Sequence, residues 1–156
     1  MIILGADQSF SSSGICVIEN DEILHHSVYS SDKTKDIYDR SWDVKEYIVK
    51  IIVDFNVEMV NIEGLGFGSF GSATRDLAGL LFTIINGIKH IDGKDIKINI
   101  ISPTSLKKFA SGSGKSKKPQ IFEALPEETK KIFKENYLKT KGLYDVTDAY
   151  WLSRYK

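Results

Sequence analysis

Four carboxylates occupy positions in this sequence where a charge is costly. Asp7 closes the apolar run IILGAD, and Glu63 closes VNIE. A carboxylate at the end of such a run loses hydration unless something compensates, and a bound cation is a common compensation. Asp145 and Asp148 stand three residues apart at the start of a last helix, DVTDAYWLS, so both project from one helical face. If the strands that end in Asp7 and Glu63 are parallel neighbours, the two acids leave the sheet side by side, and the last helix completes a four-carboxylate cluster by docking there. Four carboxylates in one cleft repel unless divalent cations fill it. Hard oxygen ligands that leave water positions open suit Mg²⁺, with Mn²⁺ as a substitute. Two such ions about 4 Å apart can activate a water and stabilise the leaving oxygen of a phosphodiester. Each acid also has a plainer reading when taken alone: Asp145 as a helix cap, Asp148 as a first-turn acid favoured by the helix dipole, and Glu63 as a solvent-facing strand end. Asp7 is the hardest to account for in that way.

The elements that must position these acids can be read from the periodicity. Residues 2–7, 12–19 and 23–29 read as three consecutive strands, the last two joined at a tight Asn20-Asp21 turn. Between 35 and 55 the period becomes helical, with Ile37, Trp42, Val44, Ile48, Ile51 and Ile52 recurring at roughly helical spacing. Residues 57–62 form another strand, and a glycine-rich stretch, 64–71, leads into a helix over 73–90. A fifth strand covers 96–101, and Pro103 opens a helix with Ser102 or Thr104 as its cap. Short helices follow, broken by a Gly/Lys loop and by Pro119 and Pro126, and the last helix runs from about Asp145 to the end. The order β-β-β-α-β-α-β followed by helices implies an α/β domain with parallel pairing among the later strands and an antiparallel edge. One domain over residues 1–156 is expected.

With 42% hydrophobic and 27% charged residues, the chain has the composition of a globular domain. Its single cysteine, Cys16, lies between Ile15 and Val17 and reads as a small buried residue. No run approaches the roughly 18 apolar residues of a membrane span, so no membrane partner is expected. The N-terminus enters a strand pattern directly, and a cytoplasmic location is expected. The formal net charge of +0 hides a local asymmetry. Residues 102–121 hold Lys107, Lys108, Lys115, Lys117 and Lys118 and no acid, so this segment is +5 and the remainder −5. A basic face on a neutral protein suits one polyanion bound in one place, or a solvated loop.

At this point the motifs resemble a known family. ILGADQSFSSSGICVIE is similar to the first two strands of the RuvC-type Holliday junction resolvases, with their G-x-D-x-S/G signature. IEG at 62–64 resembles the second acidic motif of that family, and DVTDAYWLS at 145–153 its final one. KKFASGSGKSKKPQ at 107–120 resembles its lysine, G-x-G loop, lysine, x, glutamine pattern, with Lys107, Gly112, Gly114, Lys118 and Gln120 on it without gaps. The resemblance spans nearly the whole chain. It implies an RNase H-like fold with a five-stranded mixed sheet flanked by helices, acting as a two-fold homodimer that nicks four-way DNA junctions symmetrically. By the same resemblance Asp7, Glu63, Asp145 and Asp148 are the metal ligands, and Lys107 and Lys118 approach the scissile phosphate. Attack by an activated water would leave 5′-phosphate and 3′-hydroxyl ends, which suit recombination or repair.

The chain departs from the pattern at Pro119, where the family has a polar residue, and in the loop GLGFGSFG at 64–71, which is richer in glycine. Phe67 and Phe70 in that loop either stack on an unpaired base at the crossover or pack on the body of the protein. Leu77, Leu80, Leu81, Ile84, Ile85 and Ile88 form an apolar stripe on helix 73–90, and Ala78, Gly79 and Phe82 widen it towards a self-association face. GSGKS at 112–116 is not a P-loop, because Phe109 stands where the first glycine is needed and a helix precedes it. The first acidic loop also resembles the phosphate loop of actin-like sugar kinases, which need two related domains to enclose ATP. The remaining rivals are an RNase H-like nuclease for other branched DNA or RNA, and a non-catalytic junction-binding module. His25, His26 and His90 lack ligand spacing and read as solvated.

Overall fold

In the computed structural model, which describes residues 1–66, 68 and 70–156, strands and helices alternate around one mixed sheet. The strands are β1 (Ile2–Asp7), β2 (Ser13–Glu19), β3 (Glu22–Tyr29), β4 (Met59–Glu63) and β5 (Lys97–Ile101). The helices are α1 (Ile37–Asp54), α2 (Ser72–Lys89), α3 (Pro103–Ser111), α4 (Lys118–Glu123), α5 (Glu127–Asn136) and α6 (Leu143–Arg154). The sheet order is β3-β2-β1-β4-β5, with β1–β2 and β2–β3 antiparallel and β1–β4 and β4–β5 parallel. The hairpin turn is Asn20-Asp21, both in the left-handed region (φ 48° and 74°), as a two-residue connection between twisted strands requires.

Alternation along the strands divides the core. Leu4, Ala6, Ile15, Val17, Val60 and Ile62 face α1 and α2, which contribute Val44, Ile48, Ile52, Leu80, Ile84 and Ile88. Cys16 and Ile18 point to the other face, where Val146, Ala149 and Tyr150 of α6 and Phe122 and Phe133 of α4 and α5 cover them. Because β1 and β4 are covered on both sides, they read as continuous apolar runs. No helix is long and apolar enough to cross a membrane among the described residues.

Helix α6 approaches the sheet closely. A Cβ placed on Gly5 would lie 2.0 Å from the Ala149 carbonyl oxygen, and one on Gly14 would lie 2.0 Å from that of Asp145. The helix end is held by a buried amide: Asn61 Nδ2 donates to the carbonyls of Leu152 (2.8 Å) and Tyr155 (3.1 Å), while Asn61 Oδ1 accepts from Asn99 Nδ2 (2.8 Å). These bonds satisfy an amide with no solvent exposure and tie α6 to β4.

Several expectations need adjusting. Helix α6 starts at Leu143 after Gly142, which caps it in the left-handed conformation (φ 95°), so Asp145 lies inside the first turn and is not the cap. Helix α1 begins at Ile37, capped by Asp36, whose Oδ1 accepts from the Asp39 N–H. Ser102, not Thr104, caps α3. His25 and His26 are not solvated. They are half-buried on β3, His25 beside the Phe55 ring and His26 Nδ1 at 2.7 Å from the Tyr137 hydroxyl, because Phe55 and Tyr137 cover that edge strand. His90 is exposed and caps α2. On α2 the wide stripe divides: Leu80, Leu81, Ile84 and Ile88 are buried, whereas Phe82 is 64% exposed and Gly79 faces open space.

Gly5→Ala is expected to destabilise the domain by about 3 kcal/mol or more, the upper end for overpacking, because the clash is with backbone and cannot relax through a rotamer. Urea unfolding would show it, and a loss under about 1 kcal/mol would mean that α6 can lift off the sheet at little cost.

Candidate active site

The parallel register of β1 and β4 pairs Ala6 with Ile62, so Asp7 and Glu63, one residue further on, emerge together at the C-terminal ends of the two central strands. On its other side Asp7 pairs with Gly14. Gly14 in turn faces the backbone of Asp145, which brings the first turn of α6 over the strand ends. Asp148, one turn along α6, reaches the same place from above. Asp7 is buried, with 9% exposure, and Glu63, Asp145 and Asp148 are half-buried.

The four acids act on one another. Burial is the largest influence holding the Asp7 carboxyl well above the usual carboxylate range, followed by repulsion from Glu63, Asp148 and Asp145. Asp7 and Glu63 lie close enough for a hydrogen bond between their carboxyls to raise Asp7 and lower Glu63. Burial raises Glu63 too, against the hydrogen bond from Asp7 and the charges of Lys118 and Lys107, which pull it down. Asp148 is pushed up to about 7, by burial first and then by Glu63 and Asp145, with Lys118 and Lys107 opposing. Asp145 is engaged differently: the Ser12 hydroxyl donates to its Oδ2 at 2.7 Å.

Two lysines therefore sit close enough to act on the acids. Lys107 comes from α3 and Lys118 opens α4. The loop between them is fastened by Ser111, whose hydroxyl donates to the Lys107 carbonyl (2.9 Å) and accepts from the buried Ser116 hydroxyl (2.7 Å). Gly112 terminates α3 in the left-handed region (φ 84°). Gln120 Oε1 accepts from the Lys117 N–H at 2.7 Å, fixing the start of α4. Pro119 lies in that first turn, where no intrahelical donor is needed, so this departure leaves the helix start intact. Lys108, Lys115 and Lys117 are exposed and are not among the charges acting on Glu63 or Asp148. Phe70 is 91% exposed at the end of the glycine loop, and Phe67 lies outside the described residues.

Among the described residues no three His, Cys, Asp or Glu side chains are gathered into a ligating group for a metal ion. The donor set nevertheless fits a divalent cation. It consists of hard carboxyl oxygens, and burial, joined at Asp7 and Asp148 by repulsion from neighbouring acids, disfavours charges that a doubly charged ion would stabilise. Two features escaped the sequence reading. One is Ser12, for which a hydroxyl two residues before the glycine that packs on α6 is the only signal. The other is Gln8, next to Asp7 and 4% exposed, whose Oε1 has no hydrogen-bond partner.

No protein-family model matches the sequence, and neither does any curated protein. Solved structures do match. The chain is similar to Thermus thermophilus RuvC, with TM-score 0.72 and 15% identity, over 97% of this chain and 92% of that one. It is also similar to T. thermophilus RuvC in complex with Holliday junction substrate (TM-score 0.75, 12% identity, 98% of this chain and 90% of that one). The yeast mitochondrial Holliday junction resolvase matches with TM-score 0.70 and 15% identity, over 97% of this chain and 75% of that one. At these identities the likeness is one of fold: the chain has the RNase H-like fold, with the five-stranded mixed sheet expected from its motifs.

Without metal, the raised carboxyls bind protons more tightly in the folded than in the unfolded state. Their contribution to stability is complete below the unfolded value, about 4, and is lost as pH rises through the folded values, about 7 for Asp148. The melting temperature in EDTA is expected to fall between about pH 5 and about pH 8. Asp7→Asn is expected to raise it at the higher pH, by roughly 2–4 °C for each kcal/mol of repulsion removed, and to change it little at the lower. Calorimetry at both pH values checks this. A variant that melts below the parent at the higher pH would show that the carboxyls do not repel.

Proposed function

We propose that this protein is a structure-selective endonuclease that resolves four-way DNA junctions by divalent-metal-dependent hydrolysis, acting as a homodimer. One observation carries the reading: Asp7, Glu63, Asp145 and Asp148 act on each other at the ends of β1 and β4, with Lys107 and Lys118 beside them. A surface that only bound phosphates would shed carboxylates, which repel the nucleic-acid backbone. A hydrolytic centre needs them. The likeness in fold to RuvC, one of whose structures holds a Holliday junction substrate, supports a branched DNA as the substrate.

The four acids would hold Mg²⁺, with Mn²⁺ as a substitute, at two ions per site. When bound, the ions would supply Lewis acidity that activates a water for in-line attack and stabilises the leaving oxygen. The raised carboxyls would give up their protons on passing to the loaded state. Lys107 and Lys118 would face the non-bridging oxygens of the scissile phosphate and offset the charge that grows there in the transition state. The water oxygen bonds to phosphorus, the bond from phosphorus to the 3′ oxygen breaks, and that oxygen takes up a proton. The products carry 5′-phosphate and 3′-hydroxyl ends and can be ligated directly.

Exposed features extend the reading. Lys108, Lys115 and Lys117 would meet backbone phosphates away from the cut and set the register of the DNA. Phe70 offers a free ring for stacking on an unpaired base at the crossover. Phe82 and the open side of α2 would form the two-fold contact that places a pair of sites on opposite strands.

Cleavage of a labelled synthetic four-way junction, beside matched duplex, flap and RNA–DNA hybrid, tests this directly. Paired symmetric nicks in the junction are expected with Mg²⁺ and none with EDTA or in Asp7→Asn, while Lys118→Ala is expected to cut about 10²–10³-fold more slowly. Cutting of flap or hybrid instead would keep the acid centre and change the substrate. Junction binding without cutting of any substrate would leave a binding module.

A further inference from the structure

The turn between β1 and β2 is built from its own serines. Ser9 N–H donates to Ser13 Oγ (3.0 Å), Ser12 N–H donates to Ser9 Oγ (2.9 Å), Ser9 Oγ donates to the Ser12 carbonyl (2.9 Å) and Ser13 Oγ to that of Ser9 (2.6 Å). Ser13 is fully buried. The turn is also fastened from outside, since the Phe10 carbonyl accepts from the Ser31 N–H (3.2 Å) and from the Arg40 guanidinium (3.3 Å). Two residues beyond Ser12, Gly14 touches the Asp145 backbone. The Ser12 hydroxyl leaves the turn and donates to Asp145 Oδ2.

From this geometry we infer that Ser12 is a positioning residue that sets how Asp145 meets a metal ion and thereby which ion the centre prefers; the inference rests on the metal-centre reading above. A serine hydroxyl has one proton to donate, and here a rigid turn aims it at one oxygen of the carboxylate. With Oδ2 so engaged, Asp145 offers Oδ1, a one-oxygen ligand. Mg²⁺ takes six ligands at short, near-octahedral positions and is served by one-oxygen carboxylates and water. The larger Ca²⁺ takes six to eight and readily accepts both oxygens of one carboxylate. Ser12 therefore favours the smaller ion, and its loss frees Asp145 to swing to two-oxygen binding.

Titration calorimetry with Mg²⁺ alone and with Ca²⁺ alone, on the full chain and on Ser12→Ala and Ser12→Thr, tests the inference without any nuclease assay. Loss of an outer hydrogen bond to a ligand typically weakens metal affinity about 10–100-fold. Ser12→Ala is expected to lose about tenfold in Mg²⁺ affinity while keeping or gaining affinity for Ca²⁺, and Ser12→Thr, which keeps the hydroxyl, to restore the parent preference. In an Asp145→Asn background the serine substitution is expected to have no further effect on the ratio of the two affinities. A Ser12→Ala protein that keeps the parent ratio, even with a lowered melting temperature in EDTA, would make Ser12 a structural turn residue and overturn the inference while leaving the metal centre standing. Absence of Mg²⁺ binding by the parent would overturn both.

Discussion

Helix α6 rests on strands β1 and β2 backbone against backbone, with glycine as the only residue that fits at either contact. At Gly5 the space for a side chain is filled by the carbonyl of Ala149 and the amide of Ser153, and at Gly14 by the carbonyl of Asp145. This close approach decides where the last two acids go. A helix held off by ordinary side chains would sit further from the sheet, and its carboxylates could not crowd those at the strand ends. With the helix lowered onto glycine, Asp145 and Asp148 raise the protonation of Asp7, and Asp145 comes within hydrogen-bond reach of Ser12 in the opposing turn. The Asn61 amide fixes the other end of the helix, so its height and its register on the sheet are both determined.

The same packing concentrates negative charge where water is scarce, and the surroundings balance it only in part. Lys107 and Lys118 draw Glu63 and Asp148 down, and Ser12 engages Asp145. Burial and mutual repulsion of this kind cluster at functional sites. In the proposed function the arrangement also couples the centre to phosphate. The lysines that offset the acids belong to α3 and to the start of α4, joined by a loop whose shape depends on Ser111, Ser116, Gly112 and Gln120.

Much of this was legible in the residues, and the parts that were not have identifiable causes. The succession of strands, and the acids Asp7 and Glu63 at the ends of two of them, follow from apolar runs that end in an acid, while the pairing of β1 with β4 that brings the acids together was a condition of the reading and is shown by the sheet order. The α1 and α2 faces were readable from a helical period, but α6 was not. Leu143, Val146, Thr147, Ala149, Tyr150, Leu152 and Ser153 are all buried, which leaves no clean polar side to mark its start. Its beginning at Leu143 depends on the left-handed Gly142, which carries no capping side chain for a pattern to detect. The half-burial of His25 and His26 depends on Phe55 and Tyr137, distant in sequence, and the Ser12–Asp145 bond spans the chain from its first turn to its last helix. Long-range contacts of this kind leave no local trace.

The central claim is that the four acids form a site for divalent cations. Crystals grown without metal, soaked in Mn²⁺ and measured at the manganese absorption edge, test it most directly. The account expects anomalous density between Asp7, Glu63, Asp145 and Asp148, with the Asp7 and Glu63 carboxyls parted from each other and turned towards it. Density elsewhere on the surface, with Asp7 and Glu63 still sharing their hydrogen bond, would contradict it.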